Sequence, residues 1–447
     1  MADLRGSRWM KRAACIAFVL LAAASGGCRQ GPWPLWKAYA AHFIDEQGRV
    51  IDHQAGDRTT SEGQAYALFF ALVDNDRARF DKLIDWTQNN IAAGNLGAHL
   101  PGWLWGKAAD GQWKMLDANP ASDADCWIAY TLVEAGRLWK TPGYALLGRQ
   151  MMVMIAAQEV ADLPGFGSML MPGSTALWVH KNTWTVNPSY VPLFLFERFQ
   201  QLDPAGPWGA IAMNIPRLLR QSERHGFVMD WVDYVPGDGF YPAPGPGSAP
   251  PEEQPKSSAP AQAPAAQKPA AAEPAKPAGA AAASPKPATK QPASTQPVSA
   301  QQGQAASAAK APMGSYDAIR VYLWAGMIDS AGRARADILD SLAGMGAYVD
   351  HHGAPPESVS SEGVPQDQDG PLGFSAAILP YLWANPDLAR TAAKLRVSIA
   401  SQLNPATGLY GKGAVYYDQN LAMFGTGFLD GRYHFGPGGE LKLEWTR

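Results

Sequence analysis

Apolar positions recur at helical spacing through most of the chain. Twelve segments carry the pattern: Trp33–Asp45, Ser61–Asp74, Arg77–Ile91, Asp123–Trp139, Gly143–Gln158, Pro188–Gln200, Trp208–Gln221, Tyr316–Ile328, Ala334–Val349, Leu372–Trp383, Leu388–Leu403 and Gln419–Leu429. Neighbours differ in kind. "EGQAYALFFALVD" is apolar almost throughout, whereas the "RARFDKLIDWTQNNI" that follows it is far more charged. A helix apolar all round is buried, and an amphipathic one covers it. Periodicity alone gives a mainly α fold. The alternation suits an (α/α)6 barrel, a toroid of six helical hairpins whose inner helices present their ends at one open face. Short extended pieces are expected near "GSMLMPG" and "ALWVHKNTWTVNP", and no βαβ alternation appears.

Composition interrupts this pattern twice. Arg5, Arg8, Lys11 and Arg12 precede the apolar run "AACIAFVLLAAA" and a set of small residues. That order reads as a secretory signal over residues 1–28, implying a periplasmic or secreted protein with no transmembrane domain in the mature chain. Cys28 offers the alternative of a lipid anchor after cleavage. Beyond it only Cys126 remains, so no disulfide framework is expected, and Cys126 reads as a sheltered thiol. The second interruption is residues 242–313, free of aromatic residues and rich in Ala, Pro, Gln, Ser and Lys. Such a stretch cannot bury enough apolar area to offset its ordering entropy and is expected to be disordered. It is either an interdomain linker or an insertion in one loop of a single domain spanning 29–447.

The net charge of −3 gives no reason to expect nucleic-acid binding. Sixteen tryptophans do suggest exposed rings, because flat sugar faces stack on such surfaces. Three carboxylates open apolar, aromatic-rich helices: Glu62 in "TTSEGQAYALFFAL", Asp123 in "ASDADCWIAYTLVEAGRLW" and Asp317 in "GSYDAIRVYLWAGM". Each has an ordinary reading. Thr59 and Glu62 have the spacing of a capping box, Ser122 and Ser315 are possible caps, and acids suit a first turn. As a set they could converge at one cleft of a toroid. Hydrolysis of a glycosidic bond needs two carboxyl groups in different protonation states.

These segments, with "LPGWLWGK", "GSMLMPG" and "NPSYVPLFLFERF", closely resemble glycoside hydrolase family 8, in its branch of periplasmic endoglucanases from bacterial cellulose-synthesis operons. The resemblance covers nearly all of the mature chain except the low-complexity segment. It implies inverting cleavage of β-1,4-glucan in an (α/α)6 barrel, with no metal or other cofactor. It assigns Glu62 as general acid, Asp317 as general base and Asp123 as the carboxylate that holds the sugar. It also implies cellulose as the partner, along with the cellulose synthase and export complex. Asp125 keeps an undecided role. Trp105 in a Pro/Gly loop, Trp127, Tyr190, Tyr316 and Arg320 are expected to contribute to a sugar groove. The competing readings are a non-catalytic glucan-binding scaffold, or a xylanase or chitosanase of the same family. His351 and His352 read as loop residues, and no zinc spacing includes them.

Overall fold

The computed structural model describes residues 31–246, 311, 313–366 and 368–446. The expected signal over residues 1–28 and nearly all of the 242–313 stretch therefore lie outside the described residues. The helices are α1 (Pro34–Phe43), α2 (Ser61–Val73), α3 (Arg77–Ile91), α4 (Ser122–Leu138), α5 (Pro142–Gln158), α6 (Thr175–Trp178), α7 (Leu193–Leu202), α8 (Trp208–Ser222), α9 (Ile319–Met327), α10 (Arg335–Ser341), α11 (Ala343–His352), α12 (Leu372–Ala384), α13 (Ala389–Ala400) and α14 (Tyr416–Leu429). Every segment expected from the periodicity contains a helix. Where the bounds differ, local chemistry is the reason. Asn187 caps a 3-10 turn over Pro188–Tyr190 through its side chain, and Pro192 stands at the N-cap of α7, so that helix starts late. His351 and His352 end α11 instead of lying in a loop.

The helices pair as hairpins: α2 with α3, α4 with α5, α7 with α8, α9 with α10, and α12 with α13. The last inner helix, α14, is backed by the first helix of the chain, α1. This is an (α/α)6 toroid. Helix α2 buries all but one of its residues, and α12 and α14 are nearly as enclosed. In contrast α3 buries Phe80, Leu83, Ile84, Trp86, Thr87 and Ile91, one broad stripe at helical spacing, and leaves its other face to water. Inner helices meet closely at glycine. A Cβ on Gly425 of α14 would lie 2.0 Å from the Ala376 carbonyl oxygen of α12.

Small strands decorate the ring without forming a closed sheet. β1 (Thr59–Thr60), β2 (Gly102–Lys107) and β3 (Trp113–Pro120) form one antiparallel sheet, with Thr59 opposite Trp105. β4 (Val160–Leu163) and β5 (Gly167–Leu170) form a hairpin, while β6 (Val179–His180), β7 (Thr183–Val186), β8 (Val232–Val235) and β9 (Gly239–Pro242) make a four-stranded sheet. After the low-complexity stretch, β10 (Met313–Gly314) pairs with β11 (Val359–Ser360). "LPGWLWGK" is thus mainly strand β2 rather than a loop.

The chain leaves and returns beside one dipeptide. The Ala243 N–H donates to the Trp231 carbonyl at 2.9 Å, and the Asp230 N–H donates to the Met313 carbonyl at 2.8 Å. One buried apolar cluster draws residues from both sides of the stretch, from Trp33 to Leu443. Among the described residues, no helix is long and apolar enough to cross a membrane.

Candidate active site

Three chain segments place their carboxyls around a single guanidinium. Thr60 caps α2, its Oγ1 accepting from the Gly63 N–H at 3.1 Å. Thr59, one residue earlier, instead donates its hydroxyl to the Val50 carbonyl. The capping box expected between Thr59 and Glu62 is therefore absent, and Glu62 is the second residue of the helix with its carboxyl directed elsewhere. It accepts from the Tyr66 hydroxyl at 2.9 Å and from Nη1 of Arg320.

Helix α4 follows β3 without a side-chain cap, and Ser122 donates its hydroxyl to the Met171 carbonyl at 2.6 Å. Asp123 thus enters the site at the free end of a helix. Its Oδ1 accepts from the Ala124 N–H, and its Oδ2 lies 3.3 Å from Nη1 of Arg320. Asp317 stands in the turn leading into α9, and its Oδ1 accepts from Nη2 of Arg320 at 2.5 Å. Ser315 does not cap α9 with its side chain, which donates to the Glu357 carbonyl.

The cap comes from Asp230, across the low-complexity stretch. Its Oδ1 accepts from the N–H groups of Ser315, Asp317 and Ala318 at 2.8, 3.1 and 2.8 Å. Sequence reasoning missed Asp230, as it missed Tyr66. The available signal was an acid in the aromatic-rich "GFVMDWVDYV", but nothing along the chain links it to a turn more than eighty residues away.

The carboxyls differ in exposure. The Glu62 side chain is 21% accessible, against 9% for Asp317 and 3% for Asp123. The site therefore contains one partly exposed acid and two largely buried ones, joined by a cation.

A family model described as glycosyl hydrolases family 8 matches residues 9–243 and 295–431. The chain belongs to this family. It is a glycoside hydrolase, and the gap in the match falls within the low-complexity stretch. An endoglucanase of Xanthomonas axonopodis pv. citri (strain 306) is 40% identical over 434 residues, covering 96% of this chain and 94% of that protein. An endoglucanase of Escherichia coli (strain K12) is 35% identical over 437 residues, covering 97% of each. The crystal structure of an endo-1,4-D-glucanase from Vibrio fischeri ES114 superposes with a TM-score of 0.70 at 30% identity, covering 93% of this chain and all of that one.

Burial dominates the electrostatics of this family 8 site. It pushes Asp123 up to about 7, with the nearby Glu62 charge adding to the rise and Arg320 opposing it. Burial also raises Asp317 against the pull of Arg320. Asp230 is pushed up to about 7 by burial and by the charge of Asp317, despite its backbone hydrogen bonds. Arg320 is itself buried, which works against its charge, but Glu62, Tyr66, Asp317 and Asp123 outweigh that and hold it protonated.

The remaining expected groove residues separate into two sets. The Tyr190 ring lies 5.6 Å from the Arg320 guanidinium and is itself buried, forming part of the floor. Tyr316 is half-buried, donates its hydroxyl to Glu357 at 2.9 Å, and accepts a bond at its carbonyl from the Tyr417 hydroxyl. Trp105 stacks on the exposed Trp113 at 5.3 Å, with the Arg49 guanidinium 4.4 Å from one ring and 4.6 Å from the other.

Trp127 does not line a groove. It is 1% exposed and packs among Phe69, Trp324 and Phe424. It lies one turn along α4 from Asp123, but inner helices of the toroid are buried below their first turn, so the ring joins the core. Cys126 is a free, fully buried thiol. Among the described residues, no group of three or more His, Cys, Asp or Glu side chains is placed to hold a metal ion.

Proposed function

We propose that this family 8 hydrolase is an exported endo-β-1,4-glucanase that cleaves cellulose chains with inversion and serves bacterial cellulose synthesis. The observation that carries the reading is the convergence of Glu62, Asp123 and Asp317 on Arg320. Glu62, the most open of the three, donates its proton to the leaving glycosidic oxygen. Asp317 takes a proton from water as that water's oxygen attacks the anomeric carbon from the opposite face and the C–O bond breaks. Glu62 and Asp317 are held by different nitrogens of one guanidinium, which fixes both around the same cation. Asp123 accepts hydrogen bonds from hydroxyls of the sugar at the cleavage point and holds that ring in a reactive shape.

The relatives named endoglucanases support a glucan substrate. The exposed Trp113, stacked on Trp105, supplies a ring face suited to a sugar further along the chain. The basic and apolar N-terminal segment supports export to the periplasm or medium, with Cys28 a candidate for lipidation, and export fits work beside the cellulose synthase complex. Reducing-end release from carboxymethyl cellulose should exceed that from xylan and chitosan at least tenfold. Faster release from either of the latter would replace the glucanase reading by another specificity, and release from none would favour a scaffold.

We also propose that residues 29–447 form one domain with 242–313 as a loop insertion. The hydrogen bonds of Asp230 and Trp231 to either flank support this, and loop length adds closure cost only slowly. Joining Tyr241 to Met313 by a short turn should leave specific activity within a few-fold. A folded and separately stable 33–241 fragment would contradict it.

A further inference from the structure

Two fully buried carboxyls stand behind the site with no assigned work. Asp125 lies on α4, two residues beyond Asp123, and Glu159 lies at the C-cap of α5; both are 0% exposed. None of their four carboxyl oxygens receives a hydrogen bond from any other described residue. Buried Arg320 is committed to Glu62, Asp123 and Asp317, and the partly exposed Arg198 and Arg137 are committed to Glu134. Yet the Asp125 and Glu159 side chains are within hydrogen-bonding reach of each other. Two carboxylates offer only acceptors, so such a bond requires a proton between them. A pair of unpaired buried charges would also carry a desolvation cost that nothing in this environment offsets.

The backbone around the pair reaches the catalytic helix. The Glu159 carbonyl accepts from the Met171 N–H at 2.7 Å. The Met171 carbonyl accepts from the Ser122 hydroxyl, and the Ser122 N–H donates to the Pro172 carbonyl at 3.0 Å. The end of α5 is thereby tied to the residue immediately before Asp123.

We propose that Asp125 and Glu159 share a proton and act as a positioning pair, a carboxyl–carboxyl latch that fixes the first turn of α4 and so the place of Asp123. The inference rests on the catalytic reading of Asp123. Ionising the pair as pH rises would leave a buried negative charge behind that turn with no cation to offset it, and loosen it. The titratable neighbours of the pair are Asp123 and Cys126 on α4. Asp123 in turn faces Glu62 of α2, Asp317 and Arg320 at α9, and Tyr66 and Tyr190. Burial pushes Glu159 up to about 8, and raises Asp125 well above the carboxylate range. A buried acid raised in this way contributes its stability in full at pH below the ordinary carboxylate value. That contribution is lost as pH rises through the folded value.

The test uses Glu159→Gln and Asp125→Asn in the full chain. Either amide can donate N–H to the remaining carboxylate, so the bond no longer needs a proton. Between pH 6 and 9 the wild type should lose more of its urea midpoint than either variant. The ratio of kcat at pH 9 to kcat at pH 6, on carboxymethyl cellulose, should be several-fold higher in the variants. Equal loss of midpoint at both pH values, with an unchanged kcat ratio, would reduce the pair to ordinary packing and overturn the proposal. If one variant fails to fold, the other makes the same bond from the opposite partner and decides the question. The reading of Asp123 fails separately, by normal turnover in Asp123→Asn.

Discussion

Glu62→Gln is expected to lower kcat on cellulose by about 10²–10⁴-fold, the range that a positioned general acid supplies. The amide keeps the shape of the side chain. Its oxygen can still accept from the Tyr66 hydroxyl and from Arg320, so the cluster should stay assembled. What disappears is the proton that the leaving sugar oxygen requires. The fold, read by circular dichroism and urea midpoint, and binding of cellohexaose should both survive. The loss should shrink strongly on an aryl cellobioside whose leaving group departs without a proton. Near-normal turnover of cellulose by a folded Glu62→Gln variant would remove Glu62 from the acid's role.

Arg320→Met is expected to damage stability and turnover together. Arg320 is 3% exposed and bridges three carboxyls from three chain segments. Removing one partner of a buried ion pair typically costs about 3–5 kcal/mol, because the remaining charges lose their compensation without regaining water. Protonation can relieve part of this. Asp123, already pushed up to about 7 with Arg320 opposing the rise, must go higher in the variant. A folded-state value raised above the unfolded one gives stability that falls as pH increases. The deficit of the variant should therefore be modest near pH 4 and grow through pH 7 and beyond, read as urea midpoints across that range. A deficit independent of pH would mean that the carboxyls are not coupled through Arg320.

The toroid was largely legible from sequence because its two kinds of helix differ in composition. The "EGQAYALFFALVD" of α2 has no polar face to leave outside, while α3 keeps a stripe. Chain ends and caps were less legible. The spacing from Glu62 pointed to Thr59 as the cap, but the Thr59 hydroxyl is taken by the Val50 carbonyl and Thr60 caps α2. Glu62, Asp123, Asp317 and Arg320 were all visible as residues, and the structure brings them together. Their supports were not. Asp230 acts on Ser315, Asp317 and Ala318 through backbone N–H groups, which carry no side-chain signature, and Asp125 reaches its partner at the far end of α5. Trp127 shows the opposite failure: proximity to Asp123 along the helix placed a core ring in the groove. Side chains one turn apart on a buried helix share a face, but depth below the rim decides which of them meets solvent.

The proposed roles of Glu62 and Asp317 stand or fall most directly on the anomer first released. Two carboxyls working across the bond with a water between them, separated by roughly 6.5–9.5 Å, produce inversion. Proton NMR of cellohexaose during the first minutes of hydrolysis should show the α-anomer of the new reducing end appearing first, with the β-anomer following by mutarotation. Initial appearance of the β-anomer would mean retention through a covalent intermediate and would contradict the pairing of Glu62 as acid with Asp317 as base.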